Sequence, residues 1–332
     1  MINADLKEFE FTSDFDELVI SAVAAVPSGE INGIVQIVHD LCEHKERYYP
    51  FMDYLAEQGF ITVINDNRGH GKSIVEADDL GFMFRNGGEG IISDIAQLNK
   101  RIREAYPNVP VFMAASGMGA AGARCFLKEH DDCINGLVLL GTMCISMFSP
   151  VARAVSSVSS KRPGSRFRSE KIFNAVDDNY GKFFEDPINS WRSGDADAVL
   201  AFNEDPLCNF KPTLNAYEET VWLVKQSQSG RGWKMKNPTL PIRFISGKDD
   251  PVMLSEKKFM SSVKKLEKNG YESISHRLFD GMRHDVLMEK NCINVYKDIA
   301  KSLFSWLDRL NDRQSEAAPA GAAAAQPAEE QE

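Results

Sequence analysis

The stretch PVFMAASGMGAAGARCF, residues 110–126, decides the reading of the fold. An extended apolar run, PVFMAA, meets a turn of small residues, SGMGA, and a segment with helical spacing follows. A strand that passes through so tight a turn into a helix exposes the residue at its tip, and the turn tolerates only small residues two before and two after that tip. Centring the turn on Gly117 places Ala115 and Gly119 at the two small positions. The other register puts Ser116 at the tip and Met118 where a small residue is needed. It also turns the side chain elsewhere, because a shift of one residue reverses the direction of a side chain leaving a strand.

Outward from this turn the chain alternates strand-like and helix-like segments. VISAVAAV, GIVQIVH, FITVIND, GLVLLG and PIRFISG are apolar runs, several of them continuous and rich in Val and Ile, as strands buried on both faces are. RYYPFMDYLAEQG closes on Gly59, where a helix end favours glycine. EGIISDIAQLNKRIREAYP sets Ile92, Ile95, Leu98 and Ile102 at spacings of three and four, one helical face. Such alternation predicts an α/β fold, a mostly parallel central sheet with right-handed crossovers and helices on both faces. The rhythm stops after Cys144 and returns at PIRFISG. Residues 145–233 therefore read as an inserted cap over the carboxyl edge of the sheet, and residues 1–144 and 234–312 as the core. Residues 313–332, rich in Ala, Pro and Glu, read as a disordered low-complexity tail.

Composition narrows the function. A net charge of −10 argues against a nucleic-acid partner, which requires a basic surface. There is neither a basic start followed by an apolar segment nor an 18-residue apolar run, so neither a secretory leader nor a transmembrane segment is expected. The six cysteines are scattered without C-x-x-C pairs and read as reduced thiols of a cytoplasmic protein. No spacing of His, Cys, Asp and Glu points to a metal set, and no cofactor is expected.

Four further stretches stand in order after strand-like runs: HDLCEHKERY (39–48), DNRGHGKS (66–73), SGKDDPV (246–252) and DGMRH (280–284). With ASGMG (115–119) they resemble the α/β-hydrolase superfamily, in its monoacylglycerol lipase, lysophospholipase and serine aminopeptidase-like branch. That branch carries H-G-x-x-E-H-x-x-R-Y, D-x-R-G-H-G-x-S, G-H-S-M-G, G-x-x-D-x-V and a late His. The resemblance covers about residues 10–310 and implies a serine carboxylic ester hydrolase. In such a site a serine attacks, a His takes its proton, an Asp orients the His, and backbone N–H groups hold the oxyanion. The resemblance implies Asp250 as the orienting acid, His284 as the base, and Leu41 and Met118 as the oxyanion donors. Asp249 and His276 are the neighbouring alternatives, the first read as solvated and the second as a strand-face residue.

The chain departs from the pattern twice. Gly117 stands at the nucleophile position, and Asp40 stands where the oxyanion loop has glycine. A carboxylate about 4 Å from a developing oxyanion repels it by roughly 4 kcal/mol at an effective dielectric near 20, about three decades in rate. Asp40 escapes this conflict only by taking up a proton or by pointing away. Glu43, His44, Arg47 and Tyr48 read either as a polar network bracing the oxyanion loop or as a solvated helix start. His39 reads as a packed strand-end residue, and Arg68, Gly69, His70 and Gly71 as a structural turn.

Three functional readings follow. The first is an inactive or strongly impaired member, a pseudoenzyme, that holds a small-molecule or acyl-chain ligand in a cap-covered pocket lined by residues such as Met147, Phe148, Phe183, Phe184 and Trp191. The second is an active lysophospholipase-like or monoacylglycerol lipase-like enzyme that uses Ser116 as a displaced nucleophile. The third is an enzyme without a nucleophile, in which His284 and Asp250 serve as a general base.

Overall fold

The computed structural model describes residues 4–144, 150–159, 161, 164–184 and 188–317. Its frame is one eight-stranded sheet. In chain order the strands are β1 (Asp5–Thr12), β2 (Val19–Val26), β3 (Gly33–Val38), β4 (Phe60–Asn65), β5 (Val111–Ser116), β6 (Gly136–Leu140), β7 (Ile242–Gly247) and β8 (Ile274–Phe279). They lie in the order β1-β2-β4-β3-β5-β6-β7-β8, antiparallel from β1 through β2 to β4 and parallel from β4 to β8.

The helices are α1 (Tyr49–Glu57), α2 (Gly87–Ala105), α3 (Gly117–His130), α4 (Pro150–Ser159), α5 (Glu170–Tyr180), α6 (Ala196–Glu204), α7 (Leu214–Ser227), α8 (Glu256–Asn269) and α9 (Cys292–Ala317). Alternate strand residues feed two cores, because successive side chains leave a strand on opposite faces. Val111, Met113 and Ala115 join Ile95 of α2, Phe126 of α3 and Phe259 of α8 on one face. Phe112 and Ala114 join Phe51 of α1 and Ile299 of α9 on the other. The α/β-hydrolase sheet implied by the motifs is thus present, with helices on both sides.

Several details differ from the sequence reading. The buried stripe of α2 runs through Ile91, Ile95, Leu98 and Ile102, while Ile92 is only half-buried. Spacings of four, three and four fit a helical face better than a start at Ile92. The core helix α9 continues to Ala317, five residues beyond the 312 boundary. Asp312 to Ala317 contains neither glycine nor proline, so nothing in the chain stops the helix there. The rest of the tail reading, and the pocket residues Met147 and Phe148, lie outside the described residues. Helices α4 to α7 occupy the stretch between β6 and β7, and α7 packs on α2 and α3.

Candidate active site

The carboxyl ends of four parallel strands deliver the site, where ligands of open α/β sheets bind. β3 leads into His39 and Asp40, β5 into Gly117, β7 into Asp250 and β8 into the loop bearing His284. Gly117 takes φ +50, in the left-handed region, and α3 starts there. A Cβ on Gly119 would come within 2.5 Å of the His39 carbonyl oxygen, so the turn does need a small residue two past its tip.

The structure brings His284 and Asp250 together. His284 Nδ1 lies 3.0 Å from Asp250 Oδ2. Asp250 is fixed in turn: its Oδ1 accepts from the Val252 N–H at 2.8 Å and its Oδ2 from the Ser246 hydroxyl at 2.9 Å. Asp249 is exposed and His276 lies on the exposed face of β8.

Asp40 does not point away, and its surroundings favour the ionised form. Its Oδ1 accepts from the Met118 N–H at 2.5 Å, and its Oδ2 lies 3.2 Å from His284 Nε2. A Cβ added to Gly117 would overlap its carboxyl group. The carboxylate therefore fills the space that a side chain on Gly117 would take and engages the Met118 N–H and the outer histidine nitrogen. Burial alone would raise the Asp40 pKa, but His284, Arg192 and the Met118 N–H outweigh it and hold it at about 2. Burial likewise works against a charged His284, yet Asp250 and Asp40 hold its pKa well above the usual value. Both ring nitrogens lie within hydrogen-bond distance of carboxylates, an arrangement that favours the imidazolium form of His284.

Ser116 ends β5 in extended backbone, φ −112 and ψ 140, with no hydrogen bond to His284 among the described residues. The carbonyl oxygen of Leu41, the other residue that the motifs imply as an oxyanion donor, accepts from Arg192 Nη2 at 3.0 Å. The loop from Asp40 is braced by the polar network. Glu43 Oε2 accepts from the Asp40 N–H at 3.1 Å and from the Tyr48 hydroxyl at 2.7 Å, and its Oε1 from Arg47 Nε at 3.1 Å. His44 instead reaches Asp205 of the insertion, at 2.8 Å. His39 is fully buried: its Nδ1 bonds the Asp40 carbonyl oxygen, its Nε2 accepts from the Asn67 N–H, and burial lowers its pKa. Arg68 is buried against Asp94 and Asp16, and the Gly69–Gly71 turn packs over Asp66, as a structural turn does.

Two charged residues of the site carry no sequence motif. Arg192, from the segment between α5 and α6, lies 3.2 Å from Asp285 and 3.8 Å from Asp40. Asp285 also faces Arg47 at 3.5 Å, and burial pushes it up to about 6 despite Arg192. The segment bearing Arg192 is bolted to the His284 loop. The Asp285 N–H donates to the Arg192 carbonyl at 2.6 Å, Arg283 Nη1 to the Ser190 carbonyl at 2.6 Å, and the Gly194 N–H to Glu289 at 3.0 Å.

Above the site is a cavity in which the centre of a water-sized sphere can range over about 100 Å³. Asp40 and His284 form its floor, and insertion residues such as Val155, Val176, Tyr180, Trp191 and Tyr217 line its walls. Of the aromatic residues expected there, Trp191 packs on the His284 ring at 5.6 Å, Phe184 sits against Arg283, and Phe183 is 65% exposed. Phe183 ends the short helical turn Gly181–Phe183 that follows α5, and that turn leaves it outside the cavity lining.

Among the described residues, two groups bring three possible metal ligands within 4.8 Å of one another: His44, Asp205 and Cys208, and Asp40, His284 and Asp285. In the first, His44 and Asp205 are already hydrogen-bonded to each other; in the second, Arg192 supplies the cation. No described helix is long and apolar enough to cross a membrane.

The profile of the serine aminopeptidase S33 family matches residues 29–291. The chain belongs to this family. Among curated proteins, this S33 chain is 22% identical over 279 residues to the monoglyceride lipase homolog of monkeypox virus, covering 82% of this chain and 88% of the viral protein. It is 26% identical over 291 residues to mouse (Mus musculus) monoglyceride lipase, covering 85% and 84%. Among solved structures, a thermostable carboxyl esterase from Bacillus coagulans superposes with a TM-score of 0.80 at 23% identity, over 91% of this chain and 99% of that one. The S33 chain is therefore a monoglyceride lipase-like α/β hydrolase in sequence and fold.

Proposed function

We propose that this S33-family protein does not run serine-based ester hydrolysis and that it holds an acyl-chain ligand in the cavity beneath residues 145–233, which act as its cap. One observation carries the reading: the Asp40 carboxylate occupies the place of a nucleophile on Gly117 and engages both Met118 N–H and His284 Nε2. An acyl-transfer site needs that N–H for the oxyanion and that nitrogen as a base. Here the N–H already serves a full negative charge, and the histidine already carries its proton. The mainly apolar walls, with a minority of polar groups among them, are those of a site for a small amphiphile.

The test is hydrolysis of p-nitrophenyl butyrate and of a monoacylglycerol, together with uptake of a fluorescent acyl-chain probe. The protein, Ser116→Ala and His284→Ala are expected to show no ester turnover above buffer, while the protein takes up the probe. Turnover abolished by Ser116→Ala overturns the first half of the proposal, and failure to take up any acyl probe overturns the second.

A further inference from the structure

Asp40 is more than an obstruction. It is an ionised carboxylate with one oxygen on a backbone N–H and the other beside an imidazole that a second carboxylate orients. It lies on the floor of an apolar cavity. Two tyrosines, Tyr180 and Tyr217, line that cavity, and neither hydroxyl has a hydrogen-bond partner among the described residues. Tyr180 packs on Trp191 at 5.3 Å and Trp191 on His284 at 5.6 Å, and Tyr180 lines the same cavity as Asp40 and His284. Carboxylates are competent covalent nucleophiles when held against an electrophilic carbon. A carboxylate that opens a strained ring needs a proton donor for the alkoxide it releases, which an unpartnered phenol supplies.

We propose that Asp40 is a carboxylate nucleophile and that the site hydrolyses epoxides carried on apolar chains through a covalent ester at Asp40. The inference keeps the acyl-chain cavity of the preceding reading and adds chemistry to it. Asp40 Oδ2 attacks an epoxide carbon, the ring C–O bond breaks, and the alkoxide takes the proton of a cavity tyrosine. Esterification removes the Asp40 charge that helps to hold the proton on His284. The imidazolium then reprotonates the tyrosinate and becomes a neutral base. It takes a proton from a water molecule whose oxygen adds to Cγ of Asp40, and the oxyanion that forms on Oδ1 rests on the Met118 N–H. The Cγ–Oδ2 bond breaks, Oδ2 leaves with the product, and the proton of the new carboxylic acid passes to that leaving alkoxide. One epoxide and one water give one vicinal diol. Asp40 is again ionised and His284 again protonated. The arrangement that defeats acyl transfer thus becomes a working order: the histidine is a base only after the carboxylate has been consumed.

The probe is 1,2-epoxydodecane. The protein is expected to form 1,2-dodecanediol, and Asp40→Asn to lose this to the uncatalysed rate. His284→Gln, which keeps the nucleophile and lacks the base, is expected to gain one epoxide mass on the peptide bearing Asp40. In H₂¹⁸O, with enzyme in excess over substrate, the first-turnover diol carries no label, because its new oxygen comes from Asp40. Label in that diol overturns the proposal, since water would then attack directly. Absence of both diol and adduct in protein that melts cooperatively and takes up the acyl probe overturns it as well. That last result leaves the binding role standing, whereas failure to take up the probe overturns the binding role and Ser116-dependent ester turnover overturns the non-serine reading of the site.

Discussion

The two halves of the site are built on different plans. On the Asp250 side, each acceptor meets the donor that a base-orienting carboxylate requires: Val252 N–H, the Ser246 hydroxyl and His284 Nδ1. On the Gly117 side, the elbow has its left-handed turn and its small flanking residues, but the side chain in its place comes from the neighbouring loop. On the function proposed above, Gly117 and Asp40 are two parts of one replacement. The glycine leaves room for the carboxylate, and the carboxylate satisfies the N–H and the histidine that the missing side chain would have engaged.

The strongest way to break this comparison is a double-mutant cycle. Gly117→Ser alone drives a Cβ into the Asp40 carboxyl group at a φ of +50, a loss of roughly 2–4 kcal/mol. Asp40→Gly alone strips a charged partner from buried His284 and Arg192, a loss of roughly 3–5 kcal/mol. Together the two changes relieve the clash, so the double variant loses about 2 kcal/mol less than the sum. Denaturant unfolding of the four proteins measures this coupling. Additive losses would show that the two positions are independent. The double variant also regains the parts of an acyl-transfer site, and measurable p-nitrophenyl ester turnover is expected in it alone.

That coupling explains what was legible in the sequence. Strands buried on both faces announce themselves as apolar runs, and β2 to β7 were read as such. Edge strand β1 was not, because Leu6, Phe9 and Phe11 alternate with charged residues over a largely exposed strand. That Asp40, Gly117, Asp250 and His284 meet is legible because each follows a strand end within a short motif. The fate of Asp40 is not: taken one position at a time, a carboxylate near an oxyanion hole must be neutral or turned away, and only the space above Gly117 admits a charged one pointing in. Arg192 and Asp285 were missed for a related reason. They meet across 93 residues, and the chain around Arg192 has no periodic pattern to place it. The break in rhythm between β6 and β7 is legible, but not the clamp of that stretch on the His284 loop.

Asp285 joins the two halves, and its titration sharpens the comparison. Its folded pKa, about 6, lies above the ordinary value of 3.8, so the folded state binds more protons than the unfolded state between those values. Stability from this group is present below pH 3.8 and is lost as pH rises through 6. Asp40 has the opposite sign, with a folded value near 2, and its stability is lost only as pH falls from 3.8 towards 2. Melting temperatures of the protein and of Asp285→Asn between pH 4 and 7 separate the terms. The protein is expected to lose ground to the variant as pH rises, by on the order of 2 kcal/mol. A constant difference would mean that Arg192 and Arg47 balance the burial of Asp285, and a reversed slope that they exceed it.

The smallest expected effect discriminates most finely. Ser116 is buried, ends β5, makes no side-chain cap for α3, and has no hydroxyl partner among the described residues. Removing a hydroxyl that bonds to nothing leaves no donor or acceptor stranded, so Ser116→Ala is expected to change stability by no more than about 0.5 kcal/mol. Acyl-probe uptake and diol formation from the epoxide should also be unchanged, because both His284 nitrogens are held by Asp250 and Asp40. If Ser116→Ala abolished either function, the hydroxyl would have to reach His284 in a second arrangement of the turn, with Asp40 withdrawn. The elbow side of the site would then be an ordinary serine site in disguise, and the contrast between its halves would vanish.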